Sequence, residues 1–240
     1  TMPEDGAFVT TIVSTELMEA IARSFGKPCF DVLTGFKHIA KMIYTWEHAE
    51  KGHTYLFGAE ESYGYLLGTH ARDKDAAVAS ALICEIALHA KLHDKTLVDL
   101  LYDLYDKYGI YREGIYSLKF SGTKENVEKM KNMMKHLRES PPASFNDSTV
   151  VAIEDYQLSK RLDVVEGTTE ELTLPQSNVL IFWLEDGTKL AIRPSGTEPK
   201  VKIYCGVVHK DFKDMQEGIA AADTHVEASL AAVKDTLMTM

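Results

Sequence analysis

The sequence predicts a layered α/β domain with a mixed sheet, followed by an α+β domain with a mostly antiparallel sheet and two helices. Three observations carry this. Up to Gly109, β-rich runs alternate with segments of helical apolar spacing, the rhythm of a layered α/β unit. After Gly109 the order becomes strand, helix, several strands and a closing helix. Finally, 240 residues at 45% hydrophobic and 26% charged are ample for a buried core, and the length suits one or two domains at about 100–200 residues each.

The elements follow in order. Ala7–Val13 is β-rich, and Ser14 is a plausible N-cap for a helix over Thr15–Phe25 that Gly26 stops. Pro28–Leu33 reads as a strand. Thr34-Gly35 then leads into a helix over Phe36–Glu50, and Lys51-Gly52-His53 turns into a strand over Thr54–Ala59. Ala76–Lys91 and Thr96–Tyr108 have helical spacing, and Gly109 closes the second. The boundary is placed there, giving domains 1–109 and 110–240. In the second, Tyr111–Phe120 is a strand candidate and Lys124–Arg138 a helix that Pro141-Pro142 breaks. Val150–Ile153, Val179–Leu184, Lys189–Arg193 and Lys200–Val207 are further strands, with Asp186-Gly187 as a tight hairpin turn. Asp211–Leu237 is the closing helix. Between Asp155 and Gln176 the pattern is too weak to predict an element.

Charge and composition exclude some functions. Lys plus Arg is 26 against 36 Asp plus Glu, a net charge of −10, a poor basis for binding nucleic acid or an anionic membrane. Apolar runs such as Ala76–Ala81 and Val179–Leu184 are too short to span a bilayer. The start, Thr1-Met2-Pro3-Glu4-Asp5, lacks a signal peptide's basic and apolar regions. Cys29, Cys84 and Cys205 are sparse and unpaired in spacing, as expected of reduced thiols in a cytoplasmic protein. They read as small buried hydrophobes. The nine histidines show no metal-ligand spacing; His38, His48, His53 and His70 read as surface or packing residues.

Four segments carry candidate chemistry. Arg193-Pro194-Ser195-Gly196-Thr197-Glu198-Pro199-Lys200 is a tight loop between two strands. Arg193 offers a planar fork of donors, Ser195 and Thr197 hydroxyls, and Gly196 a backbone nest, all suited to phosphate. Lys202, two residues beyond Lys200 on the same strand face, adds charge. An ordinary hairpin loop explains the same Pro, Ser and Gly. In Phe57-Gly58-Ala59-Glu60-Glu61-Ser62-Tyr63-Gly64-Tyr65 a strand ends in carboxylates and a hydroxyl, which suit sugar hydroxyls, or else merely cap a helix N-terminus. Strand alternation sends Glu60 and Glu61 to opposite faces. Thr34-Gly35-Phe36-Lys37 sits at a strand-to-helix junction whose N–H groups favour anions or sugar oxygens, or form a plain helix start. Arg72-Asp73-Lys74-Asp75 reads by itself as a solvated charge cluster with Asp75 as an N-cap.

Together and in this order, these segments resemble the α-D-phosphohexomutase family, the phosphoglucomutases and phosphomannomutases. Thr34–Lys37 is similar to the family's sugar-specificity loop. Gly58-Ala59-Glu60-Glu61-Ser62 is similar to its G-E-x-S sugar-binding signature, with Ala59 inserted, and Arg193–Pro199 to the phosphate loop of its last domain. The F-G-x-E-E-S-Y-G-Y form looks most like the longer bacterial phosphoglucomutase and phosphopentomutase branch. The resemblance covers the third and fourth of the family's four domains. It implies a phosphoserine and a Mg²⁺ loop in the first two, and neither a T-A-S-H-N-P-like loop nor D-G-D-x-D-R occurs in this chain.

The resemblance further implies the substrate-binding half of an enzyme interconverting sugar 1- and 6-phosphates, glucose or mannose, through a glucose 1,6-bisphosphate-type intermediate. Arg193, Ser195, Gly196, Thr197 and Lys202 would hold the phosphate that is not being transferred. Glu60, Ser62 and the Thr34, Gly35, Phe36, Lys37 loop would bind the sugar, and Lys74 would be an active-site cation. The expected partners are the small sugar phosphate and the N-terminal domains of the same protein. No metal ligands are expected in this chain. A C-terminal fragment inactive by itself is the leading expectation. A stand-alone sugar-phosphate-binding module, or a phosphopentomutase parent, fits the same motifs, and the upstream reading frame discriminates fragment from module.

Overall fold

The computed structural model describes residues 2–195 and 198–240 and divides into two units, Thr1–Gly109 and Ile110–Met240. The first holds β1 (Gly6–Thr11), α1 (Leu17–Ser24), β2 (Cys29–Val32), α2 (Phe36–His48), β3 (Thr54–Glu60), β4 (Gly64–Leu67), α3 (Ala76–Leu92) and α4 (Leu97–Tyr108). Its sheet runs β2-β1-β3-β4; β1 is parallel to β2 and β3, and β4 returns antiparallel along β3. The sheet is therefore mixed. Because β1, β2 and β3 run parallel, their C-terminal ends share one edge, where ligands of such sheets bind.

The apolar side chains of this unit meet in a core of Val9, Val32, Phe36, Ile39, Ile43, Tyr55 and Leu66. Several local features differ from the sequence reading. Ser14 does not cap α1: its hydroxyl hydrogen-bonds Thr11 Oγ1 at 2.8 Å, and the helix starts at Leu17, two residues later than expected, with Thr15 Oγ1 accepting from Leu17 N at 3.2 Å. The Glu60–Ser62 segment does not open a helix. It is the turn of the β3–β4 hairpin, in which Glu60 pairs with Gly64 and Tyr63 takes φ 62°. That is a three-residue hairpin loop with its last residue left-handed. Asp75, by contrast, caps α3 as expected, accepting from Ala77 N at 2.8 Å and Val78 N at 3.0 Å.

The second unit holds β5 (Ile110–Lys119), α5 (Lys124–Glu139), β6 (Ser144–Phe145), β7 (Ser148–Asp155), β8 (Lys160–Asp163), β9 (Thr169–Glu171), β10 (Leu180–Leu184), β11 (Lys189–Pro194), β12 (Lys200–His209) and α6 (Met215–Met238). The main sheet runs β5-β12-β11-β10-β7-β8-β9, antiparallel throughout, with β6 paired to β7. β8 and β9 fall in the stretch whose pattern is weak, because their mostly charged residues carry no apolar alternation. Both helices pack on one face. α6 lies so close to β5 that a Cβ on Gly114 would stand 2.4 Å from Val226 Cγ1 and 2.9 Å from Leu230 Cδ1. Arg138 of α5 reaches the same face, its Nε donating to Asp155 Oδ2 at 3.0 Å. Val201, Ile203, Leu190, Ile192, Leu180 and Phe182 fill that face.

The cysteines are not uniformly buried. Cys205 is buried and Cys29 half-buried, but Cys84 is exposed on α3. Among the described residues no single helix is long and apolar enough to cross a membrane.

Candidate functional site

In the first unit, three of the four sequence segments meet at the strand-end edge. Gly35 precedes α2 with φ 112°, a conformation that side chains other than hydrogen rarely adopt, and its N–H points at the end of β3. Glu60, the last residue of β3, is 8% exposed, and its Oε1 accepts from Gly35 N at 2.7 Å. Burial pushes the Glu60 carboxyl above its usual range, against the pull of the Gly35 N–H, with Glu61 raising it further and Lys74 opposing. Its neighbour Glu61 turns to another partner: Oε2 accepts from Thr11 Oγ1, at the end of β1, at 3.5 Å.

Lys74 arrives from the run before α3. Its stem crosses Gly64, where a Cβ would stand 2.9 Å from Lys74 Cδ and 3.3 Å from Glu60 Oε2. Its ammonium lies 5.7 Å from the centre of the Phe36 ring and 3.1 Å from Asp73 Oδ1. A buried carboxylate on a backbone N–H and the stem of a half-exposed lysine therefore both border the space that a side chain at position 64 would fill. The pair can accept from and donate to neighbouring hydroxyls. Thr34 is half-buried, while Lys37 in the first turn of α2 and Ser62 in the β3–β4 turn are exposed. Phe36 is 3% exposed and belongs to the core, so its ring supports Lys74 rather than meeting a ligand. Thr11 lies outside the four sequence segments, and Asp73 and Gly64 lie within them without a role of their own assigned from the sequence. Asp73 is visible in the sequence as part of a charge cluster and Gly64 as a glycine beside the carboxylates, whereas Thr11, at the end of a strand far along the chain, has no local signal.

An apolar groove of about 540 Å³ runs between the hairpin and α3, lined by Phe57, Tyr65, Ala76, Ile83 and Ile86 among others. It contains none of the sugar candidates, and its lining is too apolar for a sugar phosphate.

In the second unit the loop 193–200 joins β11 to β12. Arg193 pairs across the ladder with Lys202, so both project from the same face, the one away from α5 and α6. Ser195 Oγ accepts from Glu198 N at 3.3 Å, and Ser195 N donates to Lys200 O at 2.8 Å. Gly196 and Thr197 lie outside the described residues. The described residues bring together no group of three His, Cys, Asp or Glu able to hold a metal ion.

Residues 1–108 match the model of the phosphoglucomutase/phosphomannomutase α/β/α domain III. A phosphoglucomutase of Staphylococcus aureus (strain MRSA252) is 37% identical over 213 residues, covering 89% of this chain and 38% of that protein. Residues 1–108 belong to the phosphoglucomutase/phosphomannomutase domain III family, and nearly the whole chain is similar to phosphoglucomutases. A phosphoglucomutase of Staphylococcus haemolyticus is 36% identical over 218 residues, 91% of this chain and 39% of its own length. The chain thus spans about two fifths of these relatives, matching their C-terminal part. Solved phosphohexomutases share the fold. A putative phosphomannomutase of Thermus thermophilus aligns at TM-score 0.58 and 15% identity, covering 97% of this chain and 36% of that one. Parafusin of Paramecium, a phosphoglucomutase, aligns at 0.53 and 17%, covering 94% and 37%.

Proposed function

We propose that this chain is the substrate-binding half of a phosphohexomutase that interconverts the 1- and 6-phosphates of glucose or mannose. The observation that carries the reading is the held carboxylate. Glu60 is buried, yet fixed by the Gly35 N–H rather than by a cation, and the Lys74 stem borders the same space at Gly64. A carboxylate kept from a salt bridge is free to accept from sugar hydroxyls, and its burial makes each such bond stronger than in water. Ser62 follows Glu60 in the hairpin turn, and the Thr34–Lys37 loop reaches Glu60 through the Gly35 N–H and Lys74 through the Phe36 ring. In the second unit Arg193 and Lys202, paired side by side, supply charge for a phosphate.

The phosphoryl transfer itself belongs, in this reading, to a phosphoserine and Mg²⁺ in the N-terminal domains of a cytoplasmic parent enzyme. Nothing in the geometry of this chain assigns a step through the metal. This chain's residues bind, orient and neutralise: Glu60 and Ser62 the sugar, Lys74 developing charge beside it, and the 193–200 loop the phosphate that stays put.

Isothermal titration with glucose 1-phosphate and glucose 6-phosphate tests the reading. The 240-residue chain should bind at millimolar or tighter affinity, Glu60→Gln and Arg193→Ala should each weaken binding, and no mutase turnover should appear. Equal binding by wild type and both variants would refute it. Turnover by the purified chain would refute the division of labour.

A further inference from the structure

The β-ladder around the 193–200 loop places like charges opposite one another. Arg193 on β11 pairs with Lys202 on β12, and Lys202 pairs in turn with Ser117 on β5. One step along the same face, Ser195 N bonds Lys200 O and Lys200 pairs with Lys119 of β5. Residues two apart on a strand share a face, so six side chains form two adjacent rows: Arg193, Lys202, Ser117 and Ser195, Lys200, Lys119. Directly opposed side chains stand about 4.5–5.5 Å apart at Cβ, and like charges there repel. Two such pairs in consecutive positions, Arg193 with Lys202 and Lys200 with Lys119, are a liability to the sheet unless an anion sits between them. The end of this face next to the loop is open, Lys119 being exposed and Ser117, Lys200 and Lys202 half-exposed, while Tyr204 and Ala191 further along the same face are buried. The carboxylate held by this cluster is that of Glu198, whose Oε2 lies 2.5 Å from Lys200 Nζ. The Lys200 contact, with Lys202 and Lys119 beyond it, keeps that carboxyl below its usual range.

We infer that the phosphate site of the second unit extends beyond the loop onto β5, with Ser117 and Lys119 as anion ligands and Glu198 as a resident carboxylate that an incoming phosphate displaces from Lys200. The inference rests on the reading that the loop binds phosphate, and it adds a strand that the loop motif does not contain. It also gives the charge repulsion across β5, β12 and β11 a purpose: the sheet tolerates it because the bound phosphate relieves it.

Titration of the 240-residue chain with inorganic phosphate at low salt, followed by ³¹P NMR or calorimetry, tests it, with thermal melts run in parallel. Lys119→Met keeps the stem and removes the charge. It should weaken phosphate binding about fivefold, the scale of one exposed charge contact, while leaving the unliganded protein at least as stable as wild type. Ser117→Ala should weaken binding to a smaller degree, and Glu198→Gln should tighten it. If Arg193→Ala abolishes binding while Lys119→Met, Ser117→Ala and Glu198→Gln all bind as wild type does, the loop site stands and its extension onto β5 is overturned. If wild type binds no phosphate, or Arg193→Ala changes nothing, the reading of the loop fails and the extension with it.

Discussion

Gly64→Ala should disable Lys74 without unfolding the protein. The added Cβ would stand 2.9 Å from Lys74 Cδ, against about 3.5–4.0 Å for an unstrained carbon contact. The hairpin cannot yield easily, because Gly64 is paired to Glu60 across the ladder. The lysine stem can, since its side chain is 51% exposed. Pushing it off its rotamer costs about 0.5–1.5 kcal/mol, and replacing glycine by alanine inside a strand returns about 0.5–1 kcal/mol. Stability should therefore change by no more than about 1 kcal/mol. Binding should suffer more visibly. Moving a half-exposed ammonium from its place above Phe36 removes about 1 kcal/mol of charge interaction after solvent screening, or about fivefold in Kd. The assay is calorimetric titration with glucose 6-phosphate on wild type, Gly64→Ala, Lys74→Ala and the double variant. Each single variant should bind about fivefold more weakly, and the double variant no more weakly than Lys74→Ala, because the clashing stem is already gone. Wild-type affinity in Gly64→Ala would refute the reasoning. So would a double variant whose losses multiply, since Gly64 would then act independently of the lysine.

Three further outcomes follow from other parts of the molecule. The folded pKa of Glu60 lies above its unfolded value, so as pH rises the unfolded chain ionises first and the folded state loses stability up to the folded pKa. Glu60→Gln should therefore gain in Tm relative to wild type as pH rises above the ordinary glutamate pKa of about 4.3, and a pH-independent difference would contradict this. Gly114→Ala should destabilise the second unit by about 1–3 kcal/mol through overpacking against Val226 and Leu230, measured by denaturant unfolding. A thiol-exchange reagent near neutral pH should label Cys84 alone in the native protein, because burial pushes the Cys29 and Cys205 thiols up to about 12; rapid labelling of more than one cysteine would refute it.

What the sequence reveals depends on whether a feature is written locally. The helices and long strands carry period and punctuation along the chain, so Gly26, Gly109 and Asp186-Gly187 mark their ends, and the mixed and antiparallel sheets follow from element order. β4 and β6 are too short to show a period, β9 exposes every residue, and in β8 the half-buried positions are Arg161 and Asp163 while the apolar Leu162 is exposed, so neither carries an apolar alternation. The Ser14 misreading has a similar cause. A serine before a helix is a cap by local rule, but Thr11 lies close enough to take its hydroxyl first. At the site, residue types in Glu60, Ser62 and Lys74 suggest ligand chemistry, whereas the bond from Gly35 to Glu60 spans 25 residues and is visible only once β2 and β3 end on the same edge. The pairing of Lys119 with Lys200 is likewise invisible to a motif, since it joins the first strand of the second unit to its last.

The two glycines at the sugar candidate do different work, and the difference explains why the three segments belong together. Gly35 must be glycine because of its backbone: at φ 112° it turns an N–H toward Glu60 that a residue in an ordinary conformation would aim elsewhere. Gly64 must be small because of its neighbours, since Lys74 and Glu60 both border the space a Cβ would occupy. A carboxylate as buried as Glu60 would ordinarily shed its charge or recruit a cation. One N–H offsets only part of that burial, and Lys74 acts from beside Gly64 rather than through a direct ion pair. Glu60 is consequently held in place but left short of partners. A sugar hydroxyl donating to it would relieve the burial penalty, whereas a second anion would deepen it. The same balance accounts for the separation of tasks between the units: the first offers a carboxylate and one flanking ammonium, suited to hydroxyls, and the second offers two rows of cations, suited to phosphate.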